Sequence, residues 1–220
     1  MAAAAFYDLE GTLVGTNLVH SLLYYAQRQQ GIARALVKSA STVLSIPVFA
    51  AADKYSRRTF NEMFFRRYEG QSEDRLRFFA RELFEEVLEP AILPRARDLL
   101  ESSRERGFRQ VIVTGALDVS VRPLMEHLGI DDYVANRLEF VSGIATGRVL
   151  PPVMAAATKA SWIRDFAERE EIDLGASFAY SDSMSDLPML CVVGHPTAVN
   201  PDFRLRQTAL QHDWPILDLT

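Results

Sequence analysis

The sequence predicts an α/β protein in which a mostly parallel sheet, covered by helices on both faces, is interrupted after its first strand by a block of helices. Two observations carry this expectation. After Gly107, short apolar runs that end in polar or glycine-containing loops alternate with helical periodicity, and strands buried on both faces read as continuous apolar runs of this kind. Between the first such run and the second, from about Asn17 to Arg106, apolar residues recur at the three- and four-residue spacing of helices.

In chain order, Ala3 to Leu9 reads as a buried strand that stops at Asp-Leu-Glu-Gly-Thr. Helices are expected near 18–30, 32–50, 55–68 and 73–88, punctuated by Pro47, Gly70 and Pro90, and a further amphipathic helix from Pro94 to Arg106. Gln110 to Thr114 is a strand, Val119 to Leu128 a helix closed by Gly129, and Tyr133 to Val149, with turn signals at Ser142-Gly143 and Thr146-Gly147, one or two hairpin strands. Ala155 to Glu170 is helical, Ser177 to Ser181 a strand, and Asp186 to Cys191 a short helix. Val192-Val193, Thr197 to Val199 and Pro215 to Leu217 are expected as short strands near the sheet edge.

A chain of 220 residues holds one full core and a smaller unit, not two large domains. An apolar fraction of 48% and a charged fraction of 24% suit an ordinary globular protein, and a net charge of −5 argues against a nucleic-acid partner. The single cysteine, Cys191, excludes an internal disulfide; its apolar neighbours suggest a buried hydrophobe. No signal peptide is evident, and the longest uncharged stretch, Ser39 to Ala52, is too short for a membrane span, so a cytoplasmic protein without stable membrane insertion is expected. His20, His127, His195 and His212 do not stand at metal-ligand spacing, and His195 is expected in a turn.

Ligands of parallel α/β sheets bind at the carboxyl ends of strands. Four features stand at such ends or beside them: Asp8 and Glu10, Thr114 and Gly115, Lys159, and Asp182 with Asp186. Alone, each reads as a cap, a turn residue or a surface lysine. Their order is more specific. Phe6 to Leu13 resembles the first motif of the haloacid dehalogenase superfamily, Asp-x-Asp-x-Thr after an apolar strand. Val111 to Gly115 is similar to the second, Lys159 fits the third, and Tyr180 to Asp186 fits the fourth. The helical insertion resembles the cap of the subfamily that contains phosphoserine phosphatase, subfamily IB.

The resemblance implies a Rossmann-like core formed by residues 1–16 and 91–220, with an α-helical cap domain at 17–90. It implies a phosphatase acting on a small-molecule phosphate ester, with Asp8 as nucleophile, Glu10 as general acid and base, and Mg²⁺ held by Asp8, the Glu10 carbonyl and Asp182, with Asp186 in or behind that set. Thr114, Gly115 and Lys159 would meet the phosphate. Residue types agree: a carboxylate is a competent nucleophile, Mg²⁺ prefers oxygen, and a lysine offsets developing charge.

Two departures bear on the reaction. Glu10 stands where the family usually has Asp, moving the carboxyl by about one C–C bond, and misplacement of about 1 Å costs on the order of 10²-fold. That leaves phosphoryl transfer to a hydroxyl acceptor, or a weakened binding or regulatory protein, as alternatives to hydrolysis. Asn17 stands where the phosphoserine phosphatases have a Glu that meets the substrate's ammonium group, and Ser185 where they have an Asn, which argues against phosphoserine while keeping Asn17 as a substrate contact. The basic-aromatic stretches 54–58 and 64–68 are expected as solvated faces, with Arg57 the candidate to grip an anionic leaving group. The apolar segment 35–52 is expected as cap core, the alternative being a surface for a lipid-like phosphate ester.

Overall fold

Strand β1 (Ala4–Tyr7) lies at the centre of a seven-stranded sheet, and the computed structural model describes residues 2–28, 31–55 and 57–220, without the side chains at positions 34, 50, 53–55, 57–59 and 62. The other strands are β2 (Arg109–Leu117), β3 (Asp132–Val141), β4 (Ile144–Leu150), β5 (Phe178–Ser181), β6 (His195–Val199) and β7 (Ile216–Leu217). Their order is β4-β3-β2-β1-β5-β6-β7, parallel throughout except for the antiparallel β3–β4 hairpin. The hairpin turn places Ser142 and Gly143 at φ of 51° and 75°, the positive pair that matches the twist of the flanking strands.

The helices are α1 (Leu18–Gln27), α2 (Ile32–Tyr55), α3 (Arg57–Phe65), α4 (Glu73–Leu83), α5 (Ala96–Glu105), α6 (Asp118–Leu128), α7 (Ala157–Arg169), α8 (Leu187–Leu190) and α9 (Phe203–Gln211). Strand side chains alternate between two faces, and each face carries its own core. Ala5, Tyr7, Ile112 and Tyr180 pack with residues of α1, α4, α5 and α6. Ala4, Phe6, Val111 and Ala179 pack with Ile163, Leu190, Leu205 and Ala209 on the other side. This burial on both faces is why the strands read as apolar runs.

Helices α1 to α4, in the segment that follows β1, are fastened to the sheet unevenly. Gly70 N–H donates to Ala145 O at 2.9 Å, Ala145 N–H to Gln71 O at 2.8 Å, and Glu73 N–H to Gly143 O at 2.9 Å, which ties the start of α4 to the β3–β4 hairpin. In α1 the buried Tyr25 hydroxyl donates to Leu76 O and accepts from Ser120 Oγ of α6, each at 3.3 Å.

Several expectations need correction. Cys191 is exposed, because α8 ends there and the chain turns outward. Val192-Val193 forms a turn, and His195 opens β6, stacking on Phe178 with ring centroids 4.6 Å apart. Segment 35–52 is not a core helix: Thr42, Phe49 and Ala52 are buried while Leu36, Val37, Val43, Leu44 and Val48 face solvent. Helix α9 was not expected; it buries only Leu205 and Ala209, too few to show a period, and starts at Asp202, whose side chain accepts from Leu205 N–H at 2.8 Å. Lys54, Arg57 and Arg58 have side chains outside the described residues; Arg67 of the second basic stretch is held by Ser41, and Arg66 is exposed.

Candidate active site

Sheet order puts β2 on one side of β1 and β5 on the other, so three strand ends converge at the switch point where α/β ligands bind. Asp8 leaves β1 with its N–H donating to Tyr180 O at 2.9 Å. The next residues coil tightly: Leu13 and Val14 N–H both donate to Leu9 O, and Gly11 N–H donates to Val14 O. Gly11 sits at φ +82°, and a Cβ there would fall 2.2 Å from Asp182 Oδ2. Only glycine lets the loop close over that carboxylate.

Lys159, two residues into α7, is buried and bridges two carboxylates: Nζ donates to Asp8 Oδ1 at 2.6 Å and to Asp186 Oδ2 at 2.7 Å. A cation near a helix N-terminus opposes the helix dipole, and the paired carboxylates offset that cost. Ser181 Oγ steadies Asp186 Oδ2 at 3.0 Å. Thr12 Oγ1 lies 3.4 Å from both Asp8 Oδ2 and Asp182 Oδ1, so those two carboxylates face each other across it. Asp202 fixes the loop that carries Asp182: its N–H donates to Asp182 O at 2.7 Å, and its carboxylate accepts from Met184 N–H at 2.8 Å.

The electrostatics follow from burial and proximity. Desolvation pushes Asp8 above the ordinary carboxylate range, and Asp186 adds to that while the Lys159 ammonium pulls it down. Burial alone would lower Lys159, but Asp186 and Asp8 hold it above the usual lysine range, so the bridge carries a charged ammonium. Burial, with Asp8 and Asp186 close by, pushes Asp182 up to about 8, as suits a carboxylate placed to meet a cation. Among the described residues no three His, Cys, Asp or Glu side chains form a ready-made metal cage. The donors at the head of the cavity are instead the Asp8 and Asp182 carboxylates, facing each other across Thr12. That set fits Mg²⁺, which binds through one or two carboxylates and keeps waters, and does not fit structural zinc.

These groups open into a cavity of about 520 Å³ lined by Asp8, Glu10, Gly11, Gly115, Lys159, Asp182 and Asp186, with Leu18, Val19, Ile46, Phe49, Phe60 and Met154 as its apolar wall. Asn17 lines it too, but its Oδ1 caps α1 by accepting from Val19 N–H at 3.0 Å. Thr114 is fully buried, and its hydroxyl donates to Glu10 Oε2 at 3.0 Å while accepting from Ala116 N–H at 3.0 Å. The sequence expectation made Thr114 a phosphate contact; the structure adds its hydrogen bond to the Glu10 carboxyl. Thr12 and Ser181 stood within the motifs without a role, and Thr16 and Asp202 were not picked out. Thr16 Oγ1, on the cavity wall, is buried without a hydrogen-bond partner among the described residues, and no spacing in the sequence signals it.

A family model described as haloacid dehalogenase-like hydrolase matches residues 5–190. A Streptomyces azureus protein, Inhibition of morphological differentiation protein, is 35% identical over 222 residues, covering 98% of this chain and 78% of that one. Phosphoserine phosphatase SerB1 of Mycobacterium tuberculosis is 29% identical over 219 residues, covering 99% of this chain and 71% of that one. A solved protein with unknown function from Bordetella pertussis Tohama I superposes with a TM-score of 0.84 at 22% identity over the whole of both chains, a likeness of fold. Sequence motifs, fold and relatives agree: the chain belongs to the haloacid dehalogenase-like hydrolases and is a phosphoserine-phosphatase-like enzyme of the phosphatase type, acting on phosphate esters.

Proposed function

We propose that the protein hydrolyses a small phosphate monoester through an aspartyl-phosphate on Asp8, with Mg²⁺ as its metal, and that residues 17–90 act as a cap over a core of residues 1–16 and 91–220. The observation that carries this reading is the Asp8 carboxylate, held by Lys159 at 2.6 Å and opening into a cavity that residues of both segments line.

Asp8 attacks phosphorus in line, and the P–O bond to the leaving group breaks as Glu10 gives that oxygen its proton. Glu10, now ionised, takes a proton from water, which attacks phosphorus and frees Asp8. Lys159 and main-chain N–H groups near Gly115 meet the equatorial oxygens as charge builds. Bound by Asp8, the Glu10 carbonyl and Asp182, Mg²⁺ would supply neutralising charge beside the phosphoryl group, while Asp186 keeps Lys159 in position. The Thr114 hydrogen bond supports a working Glu10, because it fixes the longer side chain in one place. Thr114→Val keeps volume and removes that bond, and is expected to lower kcat on the order of tenfold or more with little change in KM. An unchanged kcat would show that Glu10 needs no such support.

A panel of phosphate esters assayed with and without Mg²⁺ tests the reading. Release above background only with metal is expected, and no release from any ester would end the proposal. Proton and metal compete at Asp182. Below about 8 that carboxyl holds a proton which Mg²⁺ displaces, so apparent affinity should rise with pH and level off above that point. Calorimetric titration in buffers of different ionisation heat reads the released proton; an affinity independent of pH would contradict the assignment.

A further inference from the structure

The outward apolar side of α2 asks for an occupant. Ile32, Leu36, Val37 and Leu44 are 82%, 65%, 70% and 78% exposed. At the pitch of a helix, the side chains of Ile32, Ala33, Leu36, Val37, Ala40, Val43, Leu44, Ile46, Pro47 and Val48 cover an arc of roughly 200°, and between Ile32 and Ala52 that arc holds no charged residue. Phe49, Thr42 and Ala52 hold the opposite side against the cap. An apolar surface this continuous is a contact surface rather than scattered exposure.

Charge selects what covers it. Residues 17–70 carry eight Lys or Arg against three Asp or Glu, although the whole chain has a net charge of −5. Arg67 is anchored at the edge of the arc on Ser41 and Ser45, and Arg66 beside it in sequence is exposed. A second copy docking on this face would bring two basic segments together. An anionic bilayer uses both features at once, taking apolar side chains below the headgroups and basic ones among them.

We propose that α2 seats the protein on an anionic membrane surface, with Ile32, Leu36, Val37 and Leu44 below the headgroup plane. No described helix is long and apolar enough to cross a membrane, and an interfacial helix lies in the plane instead. The same helix reaches the cavity, where Ile46 and Phe49 form part of the apolar wall. Resting on the phosphatase reading, this continuity makes the substrate a phosphate ester with an apolar tail that stays partly in the bilayer.

The full chain is sedimented with phosphatidylcholine vesicles, with and without phosphatidylglycerol, at low and high salt. Binding to the anionic vesicles that weakens with salt is expected. The Leu36→Ser/Leu44→Ser variant should bind them at least roughly tenfold less well. Phe203→Ser, at a residue 76% exposed on α9, should bind as the parent does. No binding to anionic vesicles, equal binding to neutral ones, or a parent dimer that the double variant turns into a monomer would each overturn the proposal. This arm involves no turnover, so it stands or falls apart from the phosphatase reading. In the second arm, phosphate release from phosphatidic acid in the same vesicles is compared with release from a water-soluble ester. The double variant should slow only the lipid reaction. If it slows both or neither, the tailed-substrate inference falls; if no ester is hydrolysed while vesicle binding persists, it is the phosphatase reading that fails.

Discussion

Asp8→Asn is expected to keep the fold and to lower phosphate release by at least roughly 10³-fold. The carboxamide has nearly the same shape but no nucleophilic charge, so the first bond cannot form. The fold should survive because Lys159 keeps Asp186 at 2.7 Å as its partner, and because losing one charge relieves the repulsion that raises Asp182. Phosphate release at saturating Mg²⁺, with thermal unfolding in parallel, separates chemistry from stability. A rate within about tenfold of the parent's, well short of the loss that removing a nucleophile brings, would take Asp8 out of the nucleophile's role.

Lys159→Met should be the most destabilising single change at the site. The ammonium is buried between Asp8 and Asp186, and its removal leaves two carboxylates without a cation in a dry setting. Breaking a buried pair from one side costs about 3–5 kcal/mol, a large share of the stability of a domain this size. The sign with pH follows. Without the lysine, the carboxyl groups titrate higher in the folded state than in the unfolded chain, so the folded state binds more protons as the solution is acidified. The deficit should therefore be greatest near neutral pH and above, and shrink as pH falls toward the raised carboxyl values. Melting temperatures of variant and parent across pH check this. Equal melting at neutral pH would mean that the bridge is not a stabilising contact. Lys159→Arg is not expected to rescue the site, because a planar fork cannot replace a point charge held between two acids.

Much of the site was legible because its polar residues close apolar strands. Asp8 follows β1, Thr114 lies on β2 and Asp182 follows β5, and a parallel sheet brings such ends together whatever the helices do. Lys159 was legible only through motif order, since nothing local in α7 marks it as buried. What escaped the sequence depends on tertiary partners. The Thr114–Glu10 bond joins residues 104 positions apart, and Asp202 grips the Asp182 loop from the start of a helix too weakly periodic to detect. Helix α2 shows the limit in another way. Its composition announced apolar side chains correctly, but hydrophobicity alone does not say whether the surface that covers them belongs to the same chain.

The hydrogen bonds that join the start of α4 to the β3–β4 hairpin, and Tyr25 of α1 to α6, bear on how substrate enters. Both ends of the inserted helices are stitched to the sheet side, so swinging the whole insertion as one rigid body would break those hydrogen bonds. Motion of α2 and α3 alone would leave those bonds in place and would carry Ile46, Phe49 and Phe60 with it. Amide hydrogen exchange should then be fastest across α2–α3 and slower in α1 and α4. Entry and exit would be timed by a segment that carries neither Asp8 nor Lys159, leaving their surroundings rigid through each turnover.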